Sequence, residues 1–250
     1  MKELQEFITQ RICSLAEAHS GLTKYRKPVV GFVPATSPRF ALLKQVAHAE
    51  HSLPEDLLPD AKSVVAFFLP FAPETLTANR KTIAVSREWA VAYIETNALI
   101  SQICETLQQD LEGRGVKSAF AKPTHNFDEV KLVSFWSHKH VAWAAGLGNF
   151  GVNQLLITSA GCAGRFGTLV LANNIVDGEP ELAEQGCLKK AGGKCDKCIE
   201  LCPTQALTSE GLDKARCYEQ LKQVDVSFPD LPTCDACGKC TLGPCALQSF

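Results

Sequence analysis

The chain has 250 residues, 46% of them hydrophobic, with twelve cysteines and a formal net charge of -2. That length can bury one large core, or a medium core with a small appendage, and the charge gives no reason to expect non-specific binding to nucleic acid or to an anionic membrane. The opening MKELQEFITQ has no apolar run of signal-peptide type, and VVAFFL at 64–69 is far short of the roughly 20 residues that cross a bilayer, so the sequence predicts a cytoplasmic protein with no membrane partner.

Residues 2–19 place Leu4, Ile8, Ile12 and Leu15 on one helical face, with Phe7 and Ala16 beside it and Gly21 as a stop just past the end. PVVGFVP and KSVVAFFLP are short β-branched and aromatic runs bounded by prolines, which predicts buried strands. Between them, ALLKQVAHAEHSLPEDLLPD allows one short helix and then a proline-punctuated loop. After Ser86, an N-cap residue type, Trp89, Tyr93, Ile100, Ile103, Leu107 and Leu111 recur at helical spacing until Gly113 and Gly115, which predicts the longest helix. VKSAFA, QLLITS and FGTLVLANNI read as further strands. Helices and strands in no strict alternation predict an α+β first domain, residues 1–182, ahead of a second unit at 183–250.

Cysteine position marks that boundary. Only Cys13, Cys104 and Cys162 precede residue 187, whereas Cys187, Cys195, Cys198, Cys202, Cys217, Cys234, Cys237, Cys240 and Cys245 crowd the C-terminal quarter. In a reducing compartment such density points to metal rather than to disulfides. Cys195, Cys198 and Cys202-Pro203 match the last three places of the C-x2-C-x2-C-x3-C-P run, which wraps thiolates around one iron-sulfur cube and hands the fourth to its neighbour. Gly192 occupies the first place, and Cys187 is the substitute. With Cys234, Cys237, Cys240 and Cys245 as a second set, the tail reads as a bacterial ferredoxin-like module for two 4Fe-4S clusters. Structural zinc is the competing reading, and three cysteines in one loop followed by Cys-Pro fit it poorly. Two clusters of four thiolates leave one of these nine cysteines spare. In a plain ferredoxin duplication the spare is Cys217, and Cys202 joins Cys234, Cys237 and Cys240. Cys13 and Cys104 sit among apolar helix residues as core or boundary thiols, and Cys162 has no partner at ligand spacing.

GLGNFG at 146–151 matches G-x-G-x-x-G, but a strand-like NQLLITS comes next, where the dinucleotide fingerprint needs a helix. The expectation is instead a tight turn that lets backbone approach a bound ligand. Just upstream, SFWSHKHVAW sets His138 and His140 two apart, which points both one way on a strand and to different faces on a helix.

In this order, LPEDLLPDAKSVVAFFLPF, AWAAGLGNFGVNQLLIT and the two-set cysteine tail resemble the epoxyqueuosine reductases and, more distantly, the iron-sulfur corrinoid reductive dehalogenases. The resemblance covers roughly residues 28–245. It implies a nitroreductase-like α+β domain that binds cobalamin on a floor of Gly146, Gly148, Asn149 and Gly151, and a ferredoxin-like domain that delivers electrons to cobalt. A flavin ranks behind cobalamin. A family cluster ligand some distance past the first cysteine motif corresponds to Cys217. The family scheme then joins Cys202, Cys217, Cys234 and Cys237, and leaves Cys187, Cys195 and Cys198 with Cys240 or Cys245. The family's proton-donating aspartate has Ser134 near its place here, with Asp128 and Glu129 as the nearest acids, so His138 or His140 becomes the candidate proton donor. Family members that act on transfer RNA continue past the clusters with helical repeats, and this sequence stops short of them.

The reading is therefore an iron-sulfur oxidoreductase of epoxyqueuosine reductase type. Electrons from a ferredoxin- or flavodoxin-type donor pass through two clusters to a corrinoid, or to a small-molecule or modified-nucleoside substrate. Its rival is an electron-transfer protein that docks on another redox enzyme and does no substrate chemistry. The acidic balance argues against transfer RNA as a partner, because phosphate neutralisation requires a basic surface. Lys189, Lys190, Lys194 and Lys197 could form a local patch but read as solvated lysines around the clusters.

Overall fold

The computed structural model describes residues 1–124 and 126–250. In chain order the helices are α1 (Lys2–Glu17), α2 (Pro38–Val46), α3 (Pro54–Leu57), α4 (Pro73–Lys81), α5 (Arg87–Glu112), α6 (His138–Ala144), α7 (Lys197–Glu200) and α8 (Lys214–Ser227). The strands are β1 (Val29–Pro34), β2 (Ser63–Pro70), β3 (Ser118–Ala119), β4 (Phe127–Asp128), β5 (Val133–Ser134), β6 (Gly148–Phe150), β7 (Leu156–Thr158) and β8 (Gly164–Leu171).

Every residue of β2 is buried, because this strand lies inside a four-stranded antiparallel sheet of order β1-β2-β8-β3 with helices on both faces. The period of two sorts its side chains. Val65, Phe67 and Leu69 meet Ile8 and Ile12 of α1 and Ile100, Ile103 and Leu107 of α5. Val64, Ala66 and Phe68 meet Phe40 and Leu43 of α2 and Val141 and Ala142 of α6. The mixed helix-and-strand character expected from the sequence is thus observed as three layers.

Local signals explain the ends. Ser86 Oγ accepts from the Trp89 N–H at 3.3 Å, and α5 runs from there to its C-cap at Gly113. Two short elements depart from the expectation. VKSAFA pairs only through Ser118 and Ala119, and the proline-punctuated loop contains the single turn α3, started by Pro54 and by Asp56, whose carboxylate accepts the Leu53 N–H at 2.7 Å. Among the described residues no helix is long and apolar enough to cross a membrane.

From Cys187 onward regular structure is sparse, and side chains of the layered region hold the chain. Arg26 donates to the carbonyls of Phe71, Ala160 and Leu247, and Arg80 donates to that of Leu242 at 2.8 Å. Cys162 and Ala163 donate their N–H groups to Cys245 and Ala246, each at 3.0 Å. Apolar contact completes the joint: Phe71, Leu76 and Trp89 pack with Val224, Leu242 and Ala246. Gly238 has φ +68° and presses on the Trp89 indole, where a Cβ would collide, so this turn requires glycine.

Candidate functional site

The tail cysteines sort into two groups and one outlier. Cys187, Cys195, Cys198 and Cys245 line a small recess, together with Asn153 and Lys197. Burial, and then the fields of Cys245, Cys187 and Cys195, push the Cys198 thiol up to about 11. The second group is Cys202, Cys217, Cys237 and Cys240. Burial raises the Cys240 thiol first, and Cys237 and Cys217 are its nearest electrical neighbours; Cys217 likewise feels Cys237 and Cys202 after burial. Cys202 shows what the Cys-Pro turn does. Burial opposes its ionisation, but N–H groups of Leu207, Thr204 and Ala206 aim at the sulfur and bring its pKa below the usual thiol value.

Cys234 stands apart. It is 0% exposed, packs on Ala90 and Tyr93, and gives its N–H to Asp225 at 2.7 Å. Burial and then Asp225 and Asp235 raise its thiol, and no cysteine is among its main influences. The family scheme differs from this at one position, with Cys240 here in place of Cys234, and it already held Cys217 in the second group and Cys245 as one candidate for the first; the plain ferredoxin grouping differs at both Cys217 and Cys234. Gly238 turns the chain over Trp89 between Cys237 and Cys240, while Cys234 stays in the α5 interface against Ala90 and Tyr93. Cys162, given no partner from spacing, lies 3.9 Å from Cys245. The contact crosses 83 residues of sequence, which spacing does not reveal.

Among the described residues no three His, Cys, Asp or Glu side chains converge as they would on a single ion. Four soft thiols around a recess suit a cube better than zinc, since each thiolate binds its own iron and the ligands stand further apart. The donor set fits a 4Fe-4S cluster.

The glycine turn does not have the open face expected of it. Gly146, at φ +76°, packs against the Glu181 carbonyl, and Gly148 against that of Ile157 across the β6–β7 hairpin. Asn149 Nδ2 donates to the Ala183 carbonyl, and a Cβ on Gly151 would meet Asn153 and Ile157. Arg39 fastens the cover by donating to Ala144 O at 2.8 Å and Pro180 O at 2.7 Å. The backbone that approaches the turn is the chain's own, so these four residues do not fit a corrinoid floor. Gly146→Ala combines a left-handed backbone with a carbonyl collision, and should destabilise the fold by about 2 kcal/mol or more. Thermal unfolding would show this as a drop of several degrees.

The expected proton donors are also placed otherwise. Their segment is helical, so His138 and His140 point apart. His138 is 8% exposed; its Nδ1 is 2.9 Å from Thr168 Oγ1 and its Nε2 is 3.0 Å from Lys122 O. Trp136 Nε1 donates to the same Thr168 oxygen at 2.8 Å, so the hydroxyl proton goes to Nδ1 and His138 is the neutral Nε2–H tautomer. Burial pushes His138 down to about 4 and His140 down to about 3. His140 is held by Ser137 Oγ at 2.7 Å and lies over Phe150. Neither is an imidazolium near neutrality, which removes both as acids. Ser134 lies with its Oγ 2.7 Å from Asn126 Oδ1 and 3.0 Å from Trp136 O, where it pins a loop.

A polar cluster beside Cys234 was not legible in advance. Tyr93 donates its hydroxyl to Asp235 at 2.5 Å and lies 3.0 Å from Thr124 Oγ1, while the Arg165 guanidinium sits over its ring, 4.4 Å from the centroid. Burial raises the Tyr93 phenol against the Arg165 charge, so it keeps its proton at neutral pH. Asp235 stands two residues from Cys237 in sequence.

No protein-family model matches the chain. It is 29% identical over 185 residues to the epoxyqueuosine reductase of Bacillus cereus (71% of this chain, 44% of that protein). To that of Bacillus subtilis it is 28% identical over 209 residues (74% and 48%). The chain therefore spans less than half the length of these curated relatives. Among solved structures, a selenomethionine-labelled epoxyqueuosine reductase matches with a TM-score of 0.61 at 20% identity, covering 100% of this chain and 67% of that one. An epoxyqueuosine reductase with an epoxyqueuosine-modified tRNA-Tyr stem loop matches with 0.59 at 18% identity (100% and 67%), and a catabolic reductive dehalogenase with 0.57 at 15% (89% and 30%). The stem-loop complex overturns the expectation against transfer RNA. Net charge was the wrong guide, because it does not say where cations sit, and Lys189 and Lys197 are in any case paired with Asp196 and Glu200. In sequence, in fold and in the order of its motifs, the chain is therefore similar to the epoxyqueuosine reductases.

Proposed function

We propose that the chain is an iron-sulfur reductase of epoxyqueuosine reductase type, acting on a modified nucleoside carried by transfer RNA. The observation that carries this reading is the sorting of the tail cysteines into two four-thiol groups. On this reading Cys187, Cys195, Cys198 and Cys245 hold one 4Fe-4S cluster, and Cys202, Cys217, Cys237 and Cys240 hold the other. A nitroreductase-like unit up to about residue 182 is followed by a ferredoxin-like unit, with a ferredoxin- or flavodoxin-type donor upstream. The rival reading of a carrier without substrate chemistry is not favoured, since the relatives are named reductases.

Bound clusters supply single electrons at a potential set by charge, hydrogen bonds and solvent. Reducing an epoxide to an alkene takes two electrons and two protons and releases water, so the chain must deliver protons where electrons leave. Tyr93 suits that task. Its hydroxyl is fixed by Thr124 and Asp235, and Arg165 above its ring offers positive charge to an anionic substrate. The family resemblance also implies a corrinoid, but Gly146, Gly148, Asn149 and Gly151 are packed against the chain itself and offer it no floor.

Anaerobic reconstitution with iron and sulfide should give about eight irons per chain. The reduced protein should then convert epoxyqueuosine in a transfer-RNA stem loop, with and without added cobalamin. Tyr93→Phe should keep the iron and lose on the order of 100-fold in turnover. A wild-type chain that takes up no iron sinks the reading.

A further inference from the structure

Lys239 lies in the second cysteine group's own loop, between Cys237 and Cys240, yet it is only 5% exposed. Its Nζ donates to Asn79 O and Thr82 O, both at 2.6 Å, with Thr82 Oγ1 at 3.5 Å. None of these partners is anionic. Asn79 and Thr82 belong to the last turn and the C-cap of α4, so the ammonium caps a helix C-terminus, which carries the equivalent of about half a negative charge. Roughly half of the lysine's charge is left uncompensated in a water-poor site, and a buried charge in that condition requires an anionic neighbour. Asn79 also donates its Nδ2 to Cys237 O at 3.1 Å, and Arg80 donates to Leu242 O, so α4 grips the loop on both sides of the lysine. The arrangement is rigid: the ammonium cannot swing out to solvent without undoing the helix cap.

We infer that Lys239 is a built-in counter-charge for the second iron-sulfur cluster, a positioning residue that stabilises its reduced, more negative state and so raises its reduction potential. The inference rests on the iron-sulfur reading above. Protein charge near a cluster is one of the determinants of its potential, and a fixed charge in a low-dielectric site acts more strongly than a hydrated surface lysine. Lys197, which lines the other recess with its side chain 59% exposed, is the natural contrast.

The test is an anaerobic redox titration of the reconstituted protein followed by electron paramagnetic resonance, with iron counted in every sample. Lys239→Met should make one cluster about tenfold harder to reduce, a fall of about 59 mV for one electron, and leave the other cluster within about twofold of wild type. Lys239→Arg keeps the charge and should restore the potential. Lys197→Met should move neither cluster by more than about twofold, because water screens it. If Lys239→Met loses the second cluster's iron while Lys239→Arg keeps it, the counter-charge role is again supported. Full iron with unshifted potentials in Lys239→Met overturns the inference, as does loss of the cluster in both variants, which would make the residue a matter of shape alone. A wild-type protein without iron would overturn the iron-sulfur reading first, so the two failures are distinguishable.

Discussion

Cys234→Ala is expected to retain the full iron content, whereas Cys217→Ala is expected to lose about half of it, one cluster of two. Spacing alone favours the opposite result, since Cys234 stands at regular two-residue intervals before Cys237 and Cys240 and Cys217 is isolated on a helix. The three-dimensional placement reverses the ranking. Cys217 lies on α8 within the fields of Cys237 and Cys202, while Cys234 is sealed among Ala90, Tyr93 and Asp225. Cys198→Ala should also cost about half the iron, from the other cluster. Iron analysis with Mössbauer or electron paramagnetic resonance spectra separates these cases. Half-loading in Cys234→Ala together with full loading in Cys217→Ala would falsify the assignment.

Acidification from about pH 6.5 to about pH 4 is expected to remove about 3 kcal/mol of stability through His138 alone. The unfolded imidazole takes its proton near 6.5, but burial delays protonation in the fold to about 4. Within that window the unfolded chain binds a proton that the folded chain refuses, so the stabilisation present above 6.5 is lost as pH falls and is gone below 4. His51 acts in the same direction. It is 0% exposed, accepts the Ser137 N–H on Nε2 and donates Nδ1–H to Ser52 O, a pattern that only the neutral ring satisfies, and burial lowers its pKa. Urea unfolding at a series of pH values, compared between wild type and His138→Gln, checks this. The variant should show a clearly shallower loss between pH 6.5 and 4.5, and parallel curves would count against the locked tautomer.

Much of the layered region was legible because its signals are local. Leu4, Ile8 and Ile12 announced α1 by their period, Ser86 and Gly113 bracketed α5, and the unbroken apolar run of β2 announced burial on both faces. The candidate site was legible in residue types but not in their grouping. Cysteine spacing pointed to clusters, yet the choice between Cys234 and Cys240 depends on how Cys234 packs against Ala90 and Tyr93, a contact between distant segments. The same holds for Cys162 beside Cys245, for Tyr93 with Asp235, and for the segment that covers the glycine turn. His138 and His140 misled because two histidines near a glycine turn look like acid-base chemistry, whereas the first is a satisfied core imidazole and the second is stacked beside Phe150.

The two thiol groups are nested in sequence: Cys198 reaches over the whole of Cys202, Cys217, Cys237 and Cys240 to find Cys245. Nesting changes how the proposed clusters would assemble. While the inner thiols are unligated, joining Cys198 to Cys245 closes one long flexible loop, and the entropy lost grows with its length. Once the inner cube is in place most of that loop is already tethered, so the outer cube closes a short gap. The outer cube should then be held more tightly when the inner one is present, so the half-loaded Cys217→Ala protein should give up its remaining iron to a chelator sooner than the half-loaded Cys198→Ala protein does.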